Sequence, residues 1–256
     1  MFSKAIVRKP GTTFAQGITS STAGTPDLEM ALTQHQRYRE ALHACGLSLT
    51  VLEADDQFPD STFVEDTAIL TPYFAVISRP GASRRQGEVQ AMAEVLADHI
   101  HTLYAITAPG SVDGGDICQV GHHFFIGISE RTNETGAKQL AEFLRLAGYS
   151  SSTIDIRTIP GLLHLKTGLS YLEHQTVLAT RAMLSCHQFA GFQVICVPED
   201  EEYAANCVYV NGRVLIPSGY PKVAAQLTEA GYQIVPLDMS EFQKMDGGLS
   251  CLSLRF

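Results

Sequence analysis

The sequence predicts an α/β fold assembled from about five similar units, each a strand hairpin followed by a helix. Three observations carry this reading. First, one pattern recurs at Asp66–Arg79, Asp116–Ser129 and Asn206–Gly219: a small polar residue, an apolar strand, a short turn and a second apolar strand. Second, apolar residues at helical spacing follow each hairpin. Third, 256 residues with 45% hydrophobic content suffice for a buried core. Repeated units of this size stack radially or linearly, and in a radial arrangement the polar residues heading each hairpin converge near the axis. An ordinary α/β sheet with unrelated hairpins is the competing reading.

The elements follow in order. Met1–Pro10 reads as an opening strand, because its apolar segment is too short for a signal peptide. A helix fits from Pro26 to about Cys45 and stops at Gly46. After the first hairpin, Val89, Met92, Ala93 and Leu96 mark a helix. After the second, Ala137, Leu140, Ala141 and Leu144 do the same, with Gly148 as the stop. Glu173–Ala179 reads as a degenerate fourth hairpin. In the next one, Asn211-Gly212 signals a type I′ turn. Pro221 then starts a helix that Gly231 ends. Gly248–Phe256 supplies a final strand.

Composition excludes several functions. No stretch approaches the roughly 18 apolar residues of a membrane span. A net charge of −9 argues against a nucleic-acid surface. The six cysteines, at 45, 118, 186, 196, 207 and 251, form no C-x-x-C pair, so neither zinc nor thioredoxin chemistry is indicated, and reduced thiols are expected. A zinc reading of His122 and His123 with His99 or His101 lacks recognisable ligand spacing.

Chemistry gathers on tight turns. A thiol closes Asp246-Gly247-Gly248-Leu249-Ser250-Cys251, an imidazole lies in Leu163-His164-Leu165-Lys166, and acids flank glycines in Asp113-Gly114-Gly115-Asp116. Singly, each has a plainer reading: a small buried hydrophobe, a core histidine and a turn. Together they fall on equivalent hairpin heads, with Glu65-Asp66 on another. Paired carboxylates suit a planar guanidinium, which they grip by charge-assisted hydrogen bonds. A thiol opposite them can attack the guanidinium carbon. Asp116 is expected to be partly structural.

At this level the chain resembles the dimethylarginine dimethylaminohydrolase family of the guanidine-modifying (pentein) superfamily. The resemblance covers nearly the whole chain. It rests on Gly17–Ser20, Phe58–Asp66, Arg79-Pro80-Gly81, Asp113–Asp116, Arg131-Thr132-Asn133, Leu163–Lys166 and Asp246–Cys251. It implies one catalytic domain over residues 1–256, a five-bladed α/β propeller of ββαβ-type units around a central polar cleft. It also implies hydrolysis of Nω-methylated arginines to citrulline and an amine through a covalent Cys251 thiouronium.

In that comparison Cys251 is the nucleophile and His164 the general acid and base. Asp113 orients His164 or the guanidinium, and it is shorter than the glutamate some members carry. Asp66 holds guanidinium nitrogens with Glu65 nearby. Asp60 meets the substrate ammonium, and the Ile18 backbone helps hold the amino-acid end. Arg84 and Arg131 meet its carboxylate, with Arg85 as the alternative to Arg84. No metal or organic cofactor is implied. The expected partner is the small-molecule substrate, without nucleic acid or membrane; a homodimer is allowed and the expected location is cytoplasmic. Residues 11–26 are the lid candidate by composition. Arginine deiminases and amidinotransferases use the same cysteine–histidine–acid logic and are the enzymatic rivals; a propeller used only as a binding module needs no thiol.

Overall fold

A computed structural model describes residues 1–185, 189 and 191–256. The chain opens with β1 (Lys4–Arg8), α1 (Leu28–Ala44) and β2 (Ser48–Leu52). The second unit is β3 (Ala68–Leu70), β4 (Ala75–Ile77), α2 (Glu88–Ala97) and β5 (Leu103–Ala105). The third is β6 (Ile117–Val120), β7 (His123–Ile128), α3 (Glu134–Leu146) and β8 (Ser150–Asp155). The fourth is β9 (Leu169–Tyr171), β10 (Thr176–Thr180) and β11 (Gln193–Val197). The fifth is β12 (Val208–Val210), β13 (Arg213–Pro217), α4 (Pro221–Glu229) and β14 (Gln233–Leu237). A short α5 (Ser240–Gln243) and β15 (Leu254–Arg255) close the chain.

These strands form five three-stranded sheets of one design. In each, a central strand runs antiparallel to its hairpin partner and parallel to the strand that returns later. In the first sheet the hairpin partner is β15, the last strand of the chain, in the order β15-β1-β2. The repeat expected from the hairpins is therefore present as five three-stranded sheets.

Contacts gather into two compact units. One comprises residues 1–64 and 167–256, the other residues 65–166. In the first unit one apolar core lies under α1 and around Phe14, Tyr38, Leu42 and Phe242, and another lies around Leu178, Val214 and Leu227. In the second unit Leu140 and Leu144 of α3 pack with Val76, Phe124 and Ile126 of the strands.

Helix ends follow from local chemistry. Asp27 caps α1 by accepting the Met30 N–H at 2.8 Å, and Asn133 caps α3 through the Gly136 N–H at 2.8 Å. Pro221 begins α4, where the buried Glu201 carboxylate takes the orphan N–H groups of Lys222 and Val223 at 3.0 and 2.8 Å. Gly46, Gly148 and Gly231 end helices at φ of 90°, 83° and 89°. Asn211 and Gly212 hold φ of 48° and 91°, as a type I′ turn requires.

Two expectations are corrected in detail. The terminal strand covers only Leu254–Arg255, because Ser250–Leu252 winds into a 3-10 turn. The fourth hairpin spans Leu169–Tyr171 and Thr176–Thr180, so Glu173–Ala179 holds its turn and most of its second strand. Cys186 lies outside the described residues; Cys45, Cys118, Cys196, Cys207 and Cys251 are thiols.

Candidate active site

Each of the five sheets is entered through a 3-10 turn. These turns are Val64–Thr67 before β3, Gly114–Asp116 before β6, Leu165–Thr167 before β9, Glu199–Ala205 before β12 and Ser250–Leu252 before β15. The expected chemistry sits on or beside them. A tight turn locked to a strand holds a side chain more firmly than a loop does, which is what a reacting group requires.

Residues 65–166 hold His164, Asp113, Asp116, Asp66 and Glu65. His164 is 7% exposed, and its Nε2 lies 3.1 Å from Asp113 Oδ2. Asp113 is fully buried, and its other oxygen accepts the Gly81 N–H at 2.8 Å. The Asp113 carboxylate is thereby aimed at the imidazole. Gly115 makes the approach possible, since a Cβ there would stand 2.7 Å from His164 Nδ1. Burial alone would push the His164 ring down. The charges of Asp66 and Asp116 and the hydrogen bond and charge of Asp113 outweigh it, raising the ring to about 9.

Asp66 is buried and doubly held: Oδ2 pairs with Arg85 Nη1 at 2.6 Å, and Oδ1 accepts the Gly115 N–H at 2.8 Å. Burial opposes its ionisation. The His164 ring and the Arg85 guanidinium prevail and hold it well below the usual carboxylate range. Arg85 is gripped on its other side by Glu88, at 3.0 Å from Nε and 2.8 Å from Nη2. It is thus committed to two buried carboxylates, whereas Arg84 is exposed and Arg131 half-buried. Glu65 pairs with Lys166 at 2.6 Å. Asp116 is fully buried, accepts the Ser129 hydroxyl at 2.7 Å and the Leu165 N–H at 3.0 Å, and is pushed up by burial to about 6. Oδ1 fixes the turn that follows His164 and Oδ2 ties it to Ser129 after β7, matching the partly structural role expected of it.

Residues 1–64 and 167–256 hold Cys251, Asp60 and Ile18. Cys251 is half-buried on its turn, and the Gly248 N–H points at its Sγ from 3.4 Å. Asp60, buried, accepts the Ile18 N–H with both oxygens, at 3.0 and 3.1 Å. Gly17 lies so close to Asp60 that a Cβ would collide with the carboxylate. The lid candidate is tied down beyond Ile18. Ser20 donates from N–H and hydroxyl to Asp246 Oδ2 at 2.6 and 3.0 Å, and the Thr19 hydroxyl donates to the Lys244 carbonyl at 2.9 Å.

Asp66, Asp113 and His164 each offer one ligand atom within 4.8 Å of the others. A cation there would have to displace the proton that the raised ring retains. His122 stacks on Tyr149, and His123 lies between the hydroxyls of Ser150 and Ser152, each at 2.8 Å. The sequence reading missed Glu88 and Lys166, the counter-charges that make burial of Arg85 and Glu65 tolerable. The available signal was charge balance, since two adjacent acids on one buried turn need cations.

Comparison with known proteins agrees with this geometry. The family model for arginine deiminase matches residues 54–211. The N(G),N(G)-dimethylarginine dimethylaminohydrolase of Pseudomonas aeruginosa is 44% identical over the full length of both chains. The chain belongs to the arginine deiminase family and, within it, to the dimethylarginine dimethylaminohydrolases. The member from Streptomyces coelicolor is 32% identical over 98% of this chain and 96% of its own. Among solved structures of the family, a cysteine-to-serine variant of the Pseudomonas aeruginosa enzyme complexed with citrulline superposes with a TM-score of 0.97, covering all of both chains. A dimethylarginine dimethylaminohydrolase adduct with S-methyl-L-thiocitrulline, made on a histidine-to-glycine variant, is likewise 44% identical and superposes at 0.96 over all of both chains. The N-terminal domain of ArgZ, at 18% identity and a TM-score of 0.88, shares the fold.

Proposed function

We propose that this chain hydrolyses Nω-methylated L-arginines, asymmetric dimethylarginine and monomethylarginine, to L-citrulline and dimethylamine or methylamine. One observation carries the reading most strongly: a buried His164 bonded to Asp113 within a group of ionised carboxylates. Such a group attracts a guanidinium and keeps a proton ready for a departing amine. The relatives complexed with citrulline and with S-methyl-L-thiocitrulline support the same chemistry.

Asp66 and Glu65 receive the guanidinium nitrogens. Asp60 and the Ile18 backbone receive the ammonium, and Arg84 and Arg131 the carboxylate. With Arg85 committed to Asp66 and Glu88, Arg84 is the arginine assigned to the substrate. The Cys251 thiolate adds to the guanidinium carbon and forms a C–S bond. His164 gives its proton to the substituted nitrogen, and the C–N bond breaks with release of the amine. The neutral imidazole then takes a proton from water, which adds to the thiouronium carbon. Collapse breaks the C–S bond and releases citrulline. Protonation of His164 at neutral pH equips it to act first as the acid.

The single catalytic domain, the radial closure of its five sheets and a cytoplasmic location belong to the same proposal; among the described residues no helix is long and apolar enough to cross a membrane. Steady-state assay of asymmetric dimethylarginine against arginine tests it. Burying a methyl group is worth only about 1 kcal/mol, so strong selectivity must come from how the leaving nitrogen is placed. Arginine should be about a hundredfold poorer or worse. Equal release of ammonia from arginine would install the deiminase reading instead.

A further inference from the structure

Three hairpin heads of the repeat obey one rule. Asp66 Oδ1 accepts the N–H of Gly115, on the next head turn of the chain. Asp116 Oδ1 accepts the N–H of Leu165, on the turn after that and directly following His164. Asn206 Oδ1 accepts the N–H of Ser250, on the last turn and directly preceding Cys251, at 2.9 Å. Each head side chain therefore clamps the backbone of the next functional turn. The first two also act on the imidazole, whose proton their charges favour. No role in the reaction has so far fallen to the third.

We propose that Asn206 is a positioning residue for the nucleophile: it fixes the Gly248–Cys251 turn so that the Gly248 N–H stays aimed at the Cys251 sulfur. The inference rests on the reading of Cys251 as the nucleophile. Asn206 is buried, and its amide lies flat against Gly248, where a Cβ would come within 2.7 Å of both Oδ1 and Nδ2. A second clasp comes from the same 3-10 segment, as the Tyr203 hydroxyl donates to the Gly247 carbonyl at 2.8 Å. With both ends of the turn held, the Gly248 N–H reaches Sγ at 3.4 Å and can stabilise a thiolate.

The rule also explains the choice of residue. Aspartate serves at the two heads that face an imidazolium, because a negative charge favours that cation. At the third head a negative charge would oppose a thiolate, and a neutral amide keeps the clamp without it. Asn206→Asp separates these effects, since it retains the acceptor for Ser250 and adds a charge. Asn206→Ala removes the acceptor altogether.

The experiment follows alkylation of Cys251 by iodoacetamide as a function of pH, read by peptide mapping, in the wild type and both variants. The neighbouring Cys207 does not interfere, because burial pushes its thiol up to about 12. In Asn206→Asp the midpoint should rise by about one pH unit, the usual scale of a nearby like charge, with thermal stability close to wild type. In Asn206→Ala the midpoint should also rise, and kcat for dimethylarginine should fall about tenfold or more with KM changed less than about threefold, because the groups that bind substrate are intact. Midpoints within about 0.3 pH unit of wild type in both variants, with only stability lowered, would overturn the proposal. If Asn206→Ala does not fold, Asn206→Gln, which stays neutral but displaces the acceptor from the Ser250 N–H, decides: a raised midpoint supports positioning and an unchanged one refutes it. A wild type that does not turn over dimethylarginine would defeat the functional reading, while the alkylation profiles would still decide the role of Asn206.

Discussion

Replacing Asp113 with asparagine tests how the acid–base group is built. The change keeps the shape of the side chain, and its amide oxygen can still accept the Gly81 N–H that now lies 2.8 Å from Oδ1. The partner of His164 Nε2 at 3.1 Å, however, changes from an anionic acceptor to a neutral group. The His164 ring stands at about 9 against an ordinary 6.5, although burial pulls it down. That rise is worth on the order of 3 kcal/mol in favour of the imidazolium. Asp66, Asp116 and Asp113 share it, and Asp113 adds the direct hydrogen bond. Loss of its charge and of that bond should therefore lower the titration midpoint of the ring.

The folded ring titrates above its unfolded value, so its stabilisation is fully present below about 6.5 and is lost as pH rises through about 9. The difference in Tm between wild type and Asp113→Asn should accordingly be largest below pH 6.5 and narrow toward alkaline pH. Turnover should fall by roughly 10²- to 10⁴-fold, the usual worth of an oriented acid–base group. The assay pairs an NMR titration of His164 with the pH profile of kcat/KM. An unchanged titration midpoint with activity within about threefold of wild type would refute the claim that Asp113 orients and charges the ring.

Cys251→Ser should abolish turnover yet retain substrate binding by calorimetry, because the carboxylates that receive the guanidinium are untouched; activity within about tenfold of wild type would remove Cys251 from the mechanism. Arg85→Met should leave Asp66 and Glu88 buried without their shared cation. The expected cost is about 3–5 kcal/mol of stability by denaturant unfolding. In the surviving protein the acid limb of activity should move to higher pH as the Asp66 pKa rises. An unmoved limb would mean that Arg85 does not set the charge of Asp66.

Much of this architecture is written in local pattern. The hairpin turns, the glycine stops at Gly46, Gly148 and Gly231, and the equal length of the repeated hairpin segments are short-range signals and are recoverable from sequence. The places of Asp66, Asp113, His164 and Cys251 were legible for the same reason, since they lie on or beside the turns that open the hairpins. What was not legible depends on distant partners. In Ser83-Arg84-Arg85 nothing local says which arginine is buried; Asp66 and Glu88 decide it. The clamps from Asp66, Asp116 and Asn206 span 44 to 49 residues and have no short-range signature. The shortness of the terminal strand has a similar origin, because the turn that carries Cys251 is fastened to Asn206 and Tyr203. The two compact units meet in sequence at Val64–Glu65 and Lys166–Thr167, next to site residues, where composition does not change.

The most direct measurement of the central claim is the mass of a covalent adduct on the peptide that contains Cys251. Wild-type protein quenched with acid during steady-state turnover should carry it with asymmetric dimethylarginine and with monomethylarginine. The departing amine carries the methyl groups, so both substrates should leave the same added mass, that of substrate less its amine, and on Cys251. Adducts that differ by the methyl groups, or that map to another residue, would contradict the account.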